Sequence, residues 1–248
     1  STQAGIFSLF YSLPATYWDS FYASQKSPVF MDTLQNQGYR MGIFGSAPLT
    51  SPPLSRTVFK KVKDLTLKQT GETQIKRDQQ ITDEFIQFQK QDNDKPYFSF
   101  LFYDSDHGED FNDHKMNYWG HTGNYSDTLV HVPLYLYLPD HQPEQINYRT
   151  THYDIVPTLM NELFDVKGDT QSYSVGQDLF ENGVPRDWFI AGSYYNYALV
   201  GKETMLVVNP GGHSQQVNNQ LKVDKEHQVP VNVIQESLDE MSRFYKKE

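Results

Sequence analysis

The chain has 248 residues, of which 21 are Lys or Arg and 31 are Asp or Glu, so its formal net charge is -10 at pH 7. This acidic balance excludes a nucleic-acid-binding protein, which needs clustered positive charge to displace counterions from phosphates. A hydrophobic content of 38% is enough for a large core, and the absence of cysteine excludes disulfides, thiolate metal ligands and a cysteine nucleophile.

The opening stretch, residues 1–18, is uncharged and rich in aromatic side chains. Pro14 and several hydroxyl side chains interrupt it, so it is not the apolar span of about 20 residues that crosses a bilayer. Residues 3–10 are compatible with a helix capped by the hydroxyl of Thr2, because Thr favours the position before the first helical turn. Taken by itself, Thr2 is therefore a capping residue.

The next elements follow from turn residues and hydrophobic spacing. Pro28 predicts the start of a helix that Gly38 ends. YRMGIFG at 39–45 is typical of a strand, and the apolar spacing after Asp78 predicts a helix. The almost unbroken aromatic run PYFSFLFY at 96–103 suits a strand buried within a parallel sheet.

The second half of the chain continues the alternation of strands and helices. VHVPLYLYL at 130–138 predicts another buried strand. Thr151 is expected to cap a helix over 154–164, with Asp154 placing a negative charge at the helix start. Two short strands and a closing amphipathic helix are expected at 188–192, 204–208 and 230–245.

This alternation predicts an α/β fold in which strands and helices form layers. We expect one globular domain over residues 1–248, with a mainly parallel central sheet and helices on both faces. The segment beyond about residue 173 has shorter strands and is expected to form a small antiparallel part.

The densest cluster of possible metal ligands lies between residues 104 and 127. Asp106 and His107 are adjacent, so both can bind one ion only where a strand breaks into a loop, as Gly108 allows. His121 lies between glycines that let the backbone fold back toward the same point. Carboxylate and imidazole are compatible with Zn, Mn or Mg. Alternatively, the histidines at 107, 114 and 121 recur every seven residues and mark one solvated face of an irregular helix.

Several motifs resemble sulfatases and lipid phosphoethanolamine transferases of the alkaline phosphatase superfamily, in the same order along most of the chain. They are YRMGIFGS at 39–46, KPYFSFLFYDS at 95–105, DHGE at 106–109, GH at 120–121, HVPLYLYLP at 131–139 and HYDIVPTLMNEL at 152–163. The opening residues 1–20 resemble the PbgA/YejM family, in which a periplasmic sulfatase-like domain follows an N-terminal transmembrane region. The resemblance implies an alkaline-phosphatase/sulfatase-like sandwich.

The resemblance also implies the roles of four residues. Thr2 occupies the place of the metal-bound nucleophile, and Asp106 and His107 match ligands of one divalent metal ion. His121 would be a hydrogen-bond donor or acid near the leaving group. This reading makes the chain a metal-dependent phosphoryl or sulfuryl ester hydrolase, or a lipid-headgroup transferase.

The same resemblance implies a location at the periplasmic face of the bacterial inner membrane. The expected partners are a lipid or a phosphate or sulfate ester, with lipopolysaccharide, cardiolipin and inner-membrane proteins as further candidates. The alternative is a catalytically impaired regulatory or lipid-binding domain.

In such proteins a strand with its own acidic ligand precedes the nucleophile, and a helix and a strand lie between the equivalents of Ser105 and Asp106. We therefore expect an N-terminal strand and a transmembrane region before Ser1, and a further segment between Ser105 and Asp106. These expected parts are not among the 248 residues.

Overall fold

The computed structural model describes residues 1–91, 94–103, 110–113, 115, 117–120, 124–138, 141–181 and 184–245. The junction between Ser105 and Asp106 lies outside the described residues. No helix in the described part is long and apolar enough to cross a membrane. The helices are α1 (Thr2–Tyr11), α2 (Trp18–Ser24), α3 (Val29–Asn36), α4 (Gln74–Lys90), α5 (Asp127–Val130), α6 (Ile155–Phe164) and α7 (Val231–Ser242).

The described strands form a parallel pair, a short ribbon and an antiparallel sheet. Strands β1 (Arg40–Gly45) and β2 (Tyr97–Phe102) are parallel, and β3 (Asp110–Phe111) pairs antiparallel with β4 (Trp119–Gly120). Strands β5 (Phe189–Gly192), β6 (Tyr197–Val200), β7 (Thr204–Val208) and β8 (Ser214–Asn218) form the antiparallel sheet in sequence order. The structure therefore confirms the predicted α/β class, including the antiparallel part near the C-terminus.

Helices cover both faces of the parallel pair. On one face, the Phe10 ring of α1 lies 5.0 Å from the Phe100 ring of β2, centroid to centroid. On the other face, the Phe44 ring of β1 packs against Phe85 and Phe88 of α4 at 5.9 and 5.6 Å. This arrangement follows from the alternation of side chains along a strand, which gives two apolar strands an apolar layer on each side.

The segment 130–138 does not form the strand that its sequence predicts. In the structure only its first residue belongs to a helix, and no described strand pairs with the rest. Its Leu134, Tyr135 and Tyr137 side chains are 51%, 92% and 86% exposed. An alternating apolar run becomes a buried strand only when a neighbouring strand supplies backbone hydrogen bonds. The composition of the segment alone was therefore not sufficient to predict a strand.

The fully buried carboxylate of Asp154 joins α6 to the rest of the C-terminal half. It accepts hydrogen bonds from the backbone N–H groups of Thr151 (2.7 Å) and Gln177 (2.9 Å). Nη2 of Arg186 lies 2.9 Å from the same carboxylate. Thr151 and Asp154 form a reciprocal capping box, which confirms the predicted helix start.

Replacing this carboxylate should destabilise the fold strongly. We expect Asp154→Ala to lower the free energy of unfolding by about 3–5 kcal/mol, because the largely buried Arg186 charge loses its partner. Urea unfolding followed by circular dichroism measures the loss. The control Asp32→Ala removes the exposed pair with Lys61 and should cost less than about 1 kcal/mol. Equal losses in the two variants would contradict this account.

Candidate functional site

The candidate nucleophile Thr2 is the first residue of α1. Ser1, not Thr2, caps the helix, since its side chain accepts a hydrogen bond from the backbone N–H of Ala4 at 3.4 Å. The capping role predicted for Thr2 is therefore wrong, and the residue before it has that role. The first turn of a helix directs backbone N–H groups and a partial positive charge beyond its end, so Thr2 lies where negative charge is favoured.

The first turn of α1 lies against the last residue of β5. A Cβ atom at Gly192 would be 3.3 Å from Cβ of Ala4 and 2.6 Å from Cβ of Ala15, so glycine is what allows this close approach. The other end of α1 is also held, because the Ser12 hydroxyl donates to the Tyr153 carbonyl and the Tyr153 hydroxyl donates to the Ile190 carbonyl of β5. The antiparallel sheet therefore fixes where Thr2 is presented.

The turn between β5 and β6 holds the segment that follows the predicted His121. The buried Tyr125 hydroxyl lies 2.9 Å from the backbone oxygen and 2.8 Å from Oδ1 of Asn196. Burial raises the pKa of Tyr125 well above its ordinary value, so this phenol remains a neutral hydrogen-bond donor. Asn196 thus joins Tyr125 to the end of β5, where its backbone oxygen also accepts a hydrogen bond from the N–H of Ser193.

The β3–β4 ribbon pairs residues that are eight and ten positions apart in the sequence. Asp110 pairs with Gly120, and Phe111 pairs with Trp119. The strands are antiparallel, so the chain enters Asp110 and leaves Gly120 at the same end of the ribbon. This pairing was not predicted from the sequence, because two-residue strands carry almost no periodic signal.

The remaining predicted site residues, Asp106, His107 and His121, lie outside the described residues. The described residues on either side of them are Tyr103 and Asp110 in one case and Gly120 and Asn124 in the other. Within the described part of the chain there is no group of three or more His, Asp or Glu side chains that could hold a metal ion. The predicted metal ligands are thus neither brought together nor separated by the described geometry.

Sequence reasoning missed a polar group at the carboxyl ends of β1 and β2. The backbone N–H of Ser46, the residue after β1, donates to the Phe102 carbonyl at 2.9 Å. Nε of Arg77 in α4 donates to the Ser46 carbonyl at 3.1 Å. The hydroxyl groups of Thr82 and Tyr103 are 2.9 Å apart and tie α4 to the residue after β2. In α/β folds ligands bind at the carboxyl ends of parallel strands.

An open groove of about 640 Å³ lies along α4, and Thr2 is not among its lining residues. Its lining consists largely of amide and carboxylate side chains, including Gln79, Gln80, Asp83 and Glu84. Ligand pockets are usually apolar with a few polar groups, so this groove is not a better candidate than the end of α1.

Comparisons with known proteins agree with the resemblance in the motifs, although no protein-family model matches the chain. The inner membrane proteins YejM of Salmonella typhimurium and Salmonella typhi are each 24% identical over 98% of this chain. An uncharacterized Haemophilus influenzae protein is 24% identical over the full chain. The chain spans 48% of the length of each of these relatives.

Comparison with solved structures also finds an alkaline phosphatase superfamily protein with a similar fold. A crystal structure of an alkaline phosphatase superfamily protein from Vibrio parahaemolyticus superposes with a TM-score of 0.53 at 15% identity, covering 98% of this chain and 76% of that protein. The chain is similar to YejM along its length, and its fold is similar to that of an alkaline phosphatase superfamily protein, which confirms the predicted resemblance.

The contact between α1 and β5 leads to a stability prediction. Gly192→Ala should lower the free energy of unfolding by about 1–3 kcal/mol, because the added methyl group overlaps Ala15. Gly168→Ala is the matched control, since no atom lies within 4 Å of its added Cβ, and its effect should stay within about 0.5 kcal/mol. Thermal unfolding measures both. A Gly192→Ala protein as stable as the wild type would show that Ala15 and Ala4 do not approach Gly192 as closely as described.

Proposed function

We propose that this chain is a periplasmic sulfatase-like domain that cleaves or transfers phosphate or sulfate esters, including lipid headgroups, with Thr2 as the nucleophile. The observation that carries the proposal is the position of Thr2 at the first residue of α1. The first turn of α1 packs on β5, and the turn after β5 anchors Tyr125, four residues beyond His121. This set of contacts supports a site in which Thr2 and His121 are close.

The β3–β4 ribbon supports the inclusion of Asp106 and His107 in the same site. These residues shortly precede Asp110, and His121 directly follows Gly120, the cross-strand partner of Asp110. We propose that the residues before Asp110 and after Gly120 meet at this end of the ribbon. The Asp106 carboxylate, the two imidazoles and the Thr2 hydroxyl would then share one site.

The donor chemistry of Asp106, His107 and Thr2 fits a divalent ion such as Zn, Mn or Mg. Such an ion, when bound, favours the ionised form of a coordinated hydroxyl and neutralises charge on a phosphoryl or sulfuryl group. The protein itself contributes the orientation of Thr2 and the positive end of α1, which stabilises negative charge at the reacting group. The Thr2 oxygen, having lost its proton to solvent, would attack the phosphorus or sulfur while the bond to the leaving oxygen breaks and His121 gives that oxygen a proton. Water or an acceptor hydroxyl would then displace Thr2 from the resulting ester, which completes hydrolysis or transfer.

Removing the Thr2 hydroxyl tests this function. Thr2→Ala should reduce turnover of p-nitrophenyl phosphate or sulfate by at least about 1,000-fold, because no nucleophile remains. The melting temperature should stay within about 3 °C, since Ser1 rather than Thr2 caps α1. Thr2→Ser keeps a hydroxyl and should retain measurable turnover, and a chelator should abolish wild-type turnover reversibly. Wild-type rates in Thr2→Ala would reject the proposal.

A second candidate function, a regulatory domain that binds lipopolysaccharide or cardiolipin without catalysis, is favoured by exposed apolar side chains. Leu134, Tyr135 and Tyr137 are more than half exposed in one continuous segment. Contiguous exposed apolar groups are typical of surfaces that contact proteins or membranes. Tyr side chains are suited to the boundary between headgroups and acyl chains, because one end is apolar and the other polar.

Vesicle binding distinguishes this second candidate. The wild-type protein should co-sediment with vesicles containing cardiolipin, and replacing Leu134, Tyr135 and Tyr137 together by Ser should weaken binding at least about 10-fold. Tyr195→Ser is the control, since Tyr195 is 82% exposed on the separate β5–β6 turn. Thr2→Ala should bind like the wild type. Binding that is unchanged in the triple variant would reject this candidate.

A further inference from the structure

The C-terminal helix α7 contacts two parts of the hydrophobic core. Its Val233 and Met241 side chains pack against the cluster that contains Ile190 of the antiparallel sheet. Phe244, two residues after α7, packs against the core around the parallel pair, and its ring centroid lies 5.9 Å from that of Tyr17. A change in how α7 docks would therefore act on both parts of the fold.

The hydroxyl group of Tyr17 is inserted into the backbone hydrogen bonding at the end of α7. It donates to the Glu240 carbonyl at 2.8 Å and accepts from the Phe244 N–H at 3.1 Å. In a regular helix that N–H would bond directly to that carbonyl, because the two residues are four positions apart. Tyr17 is completely buried and directly precedes α2, so it fixes the last turn of α7 to the N-terminal part of the chain.

Glu240 places a carboxyl group at this junction. Its side chain is half-buried, and among the described residues it forms no hydrogen bond or ion pair. The two guanidinium groups near it are held by other residues. Nη2 of Arg186 lies 2.9 Å from the Asp154 carboxylate, and Nη1 of Arg243 donates to the Ser174 carbonyl at 3.4 Å. A carboxylate that is partly removed from water and receives no hydrogen bond is unfavourable, whereas the protonated carboxyl group is less so.

The surroundings of Glu240 act on its titration in opposite directions. Burial is the largest influence and raises the pKa of Glu240 above its ordinary value of 4.5. The positive charges of Arg186 and Arg243 lower this pKa, and the negative charge of Glu236 raises it further. The net result is a raised pKa, so burial prevails over the two arginines.

Two phenols also face Glu240 from the elements packed against α7. Burial, with a smaller contribution from the charge of Glu240, raises the pKa of Tyr17 and Tyr153. Both phenols therefore remain neutral where Glu240 titrates, and the Tyr17 hydroxyl keeps its proton for the Glu240 carbonyl.

We propose that the last turn of α7 and Tyr17 form a pH-sensitive clasp, which closes when Glu240 is neutral and loosens when Glu240 is ionised. The direction follows from the linkage between proton binding and docking. A carboxyl group whose pKa is raised by docking stabilises the docked helix fully below its ordinary value of 4.5. This stabilisation is lost as the pH rises through the raised pKa, so α7 should dock more tightly under acidic conditions than under alkaline ones.

Hydrogen exchange of residues 231–245, followed by mass spectrometry in the whole 248-residue protein, tests the clasp. Glu240→Gln preserves the shape of the neutral carboxyl group and cannot ionise. Its exchange protection, divided by that of the wild type at the same pH, should rise roughly 3- to 30-fold between pH 5 and pH 8. This range follows because one unit of pKa shift corresponds to a factor of about ten in the opening equilibrium.

Asp239→Asn is the matched control, since it removes one negative charge at the neighbouring position. The Asp239 side chain is exposed and accepts a hydrogen bond from Gln235. Its protection ratio should stay constant over the same pH range. An equal rise in this control would show a general effect of net charge and would overturn the clasp.

The direction of the change with pH decides the role of Glu240. A ratio for Glu240→Gln that does not change with pH overturns the proposal. A ratio that falls with rising pH also overturns it, because the ionised carboxylate would then hold α7 in place. Arg186 would be its partner in that case, since the buried Nε of Arg186 has no hydrogen-bond partner in the described part of the chain. None of these results depends on ester turnover, so the clasp and the proposed function are tested separately.

Discussion

The close packing of α1 against the antiparallel sheet is the constraint on which the rest of the structure depends. One face of α1 packs on the aromatic side chains of the parallel pair, and Ala4 approaches Gly192 of β5 on the other side. Hydrogen bonds from Ser12 to Tyr153 and from Tyr153 to Ile190 continue the same contact. Because α1 touches both sheets, the position of Thr2 is set by the whole fold.

The elements that the sequence predicted well are those with local signals. Pro28 does cap a helix, at Val29–Asn36, and the aromatic run does form β2. Thr151 does form the capping box before α6. Each of these signals is contained within a few residues, so it survives whatever the rest of the chain does.

The elements that were missed or wrong depend on partner strands outside their own segment. Strands β6 and β8 were not predicted, since Tyr197–Val200 and Ser214–Asn218 are short and gain their structure from pairing with β7. The segment 130–138 has the composition of a strand but no partner among the described strands. Strand formation depends on cross-strand neighbours, which a single segment of sequence does not reveal.

The same distinction applies to the candidate site. Thr2, Asp106, His107 and His121 were chosen from motifs, and they stay predictions because three of them lie outside the described residues. The polar group formed by Ser46, Arg77 and Tyr103 had no motif at all. Its members are 26 or more positions apart and meet only because α4 packs antiparallel to β1.

The central claim is that Thr2 joins Asp106 and His107 around one divalent ion. Anomalous X-ray diffraction from crystals grown with Zn or Mn measures this most directly, because the signal identifies the ion and its ligands together. The account predicts a single strong peak about 2 Å from oxygen or nitrogen atoms of all three side chains. A peak bound elsewhere, or the three side chains more than about 8 Å apart, would contradict it.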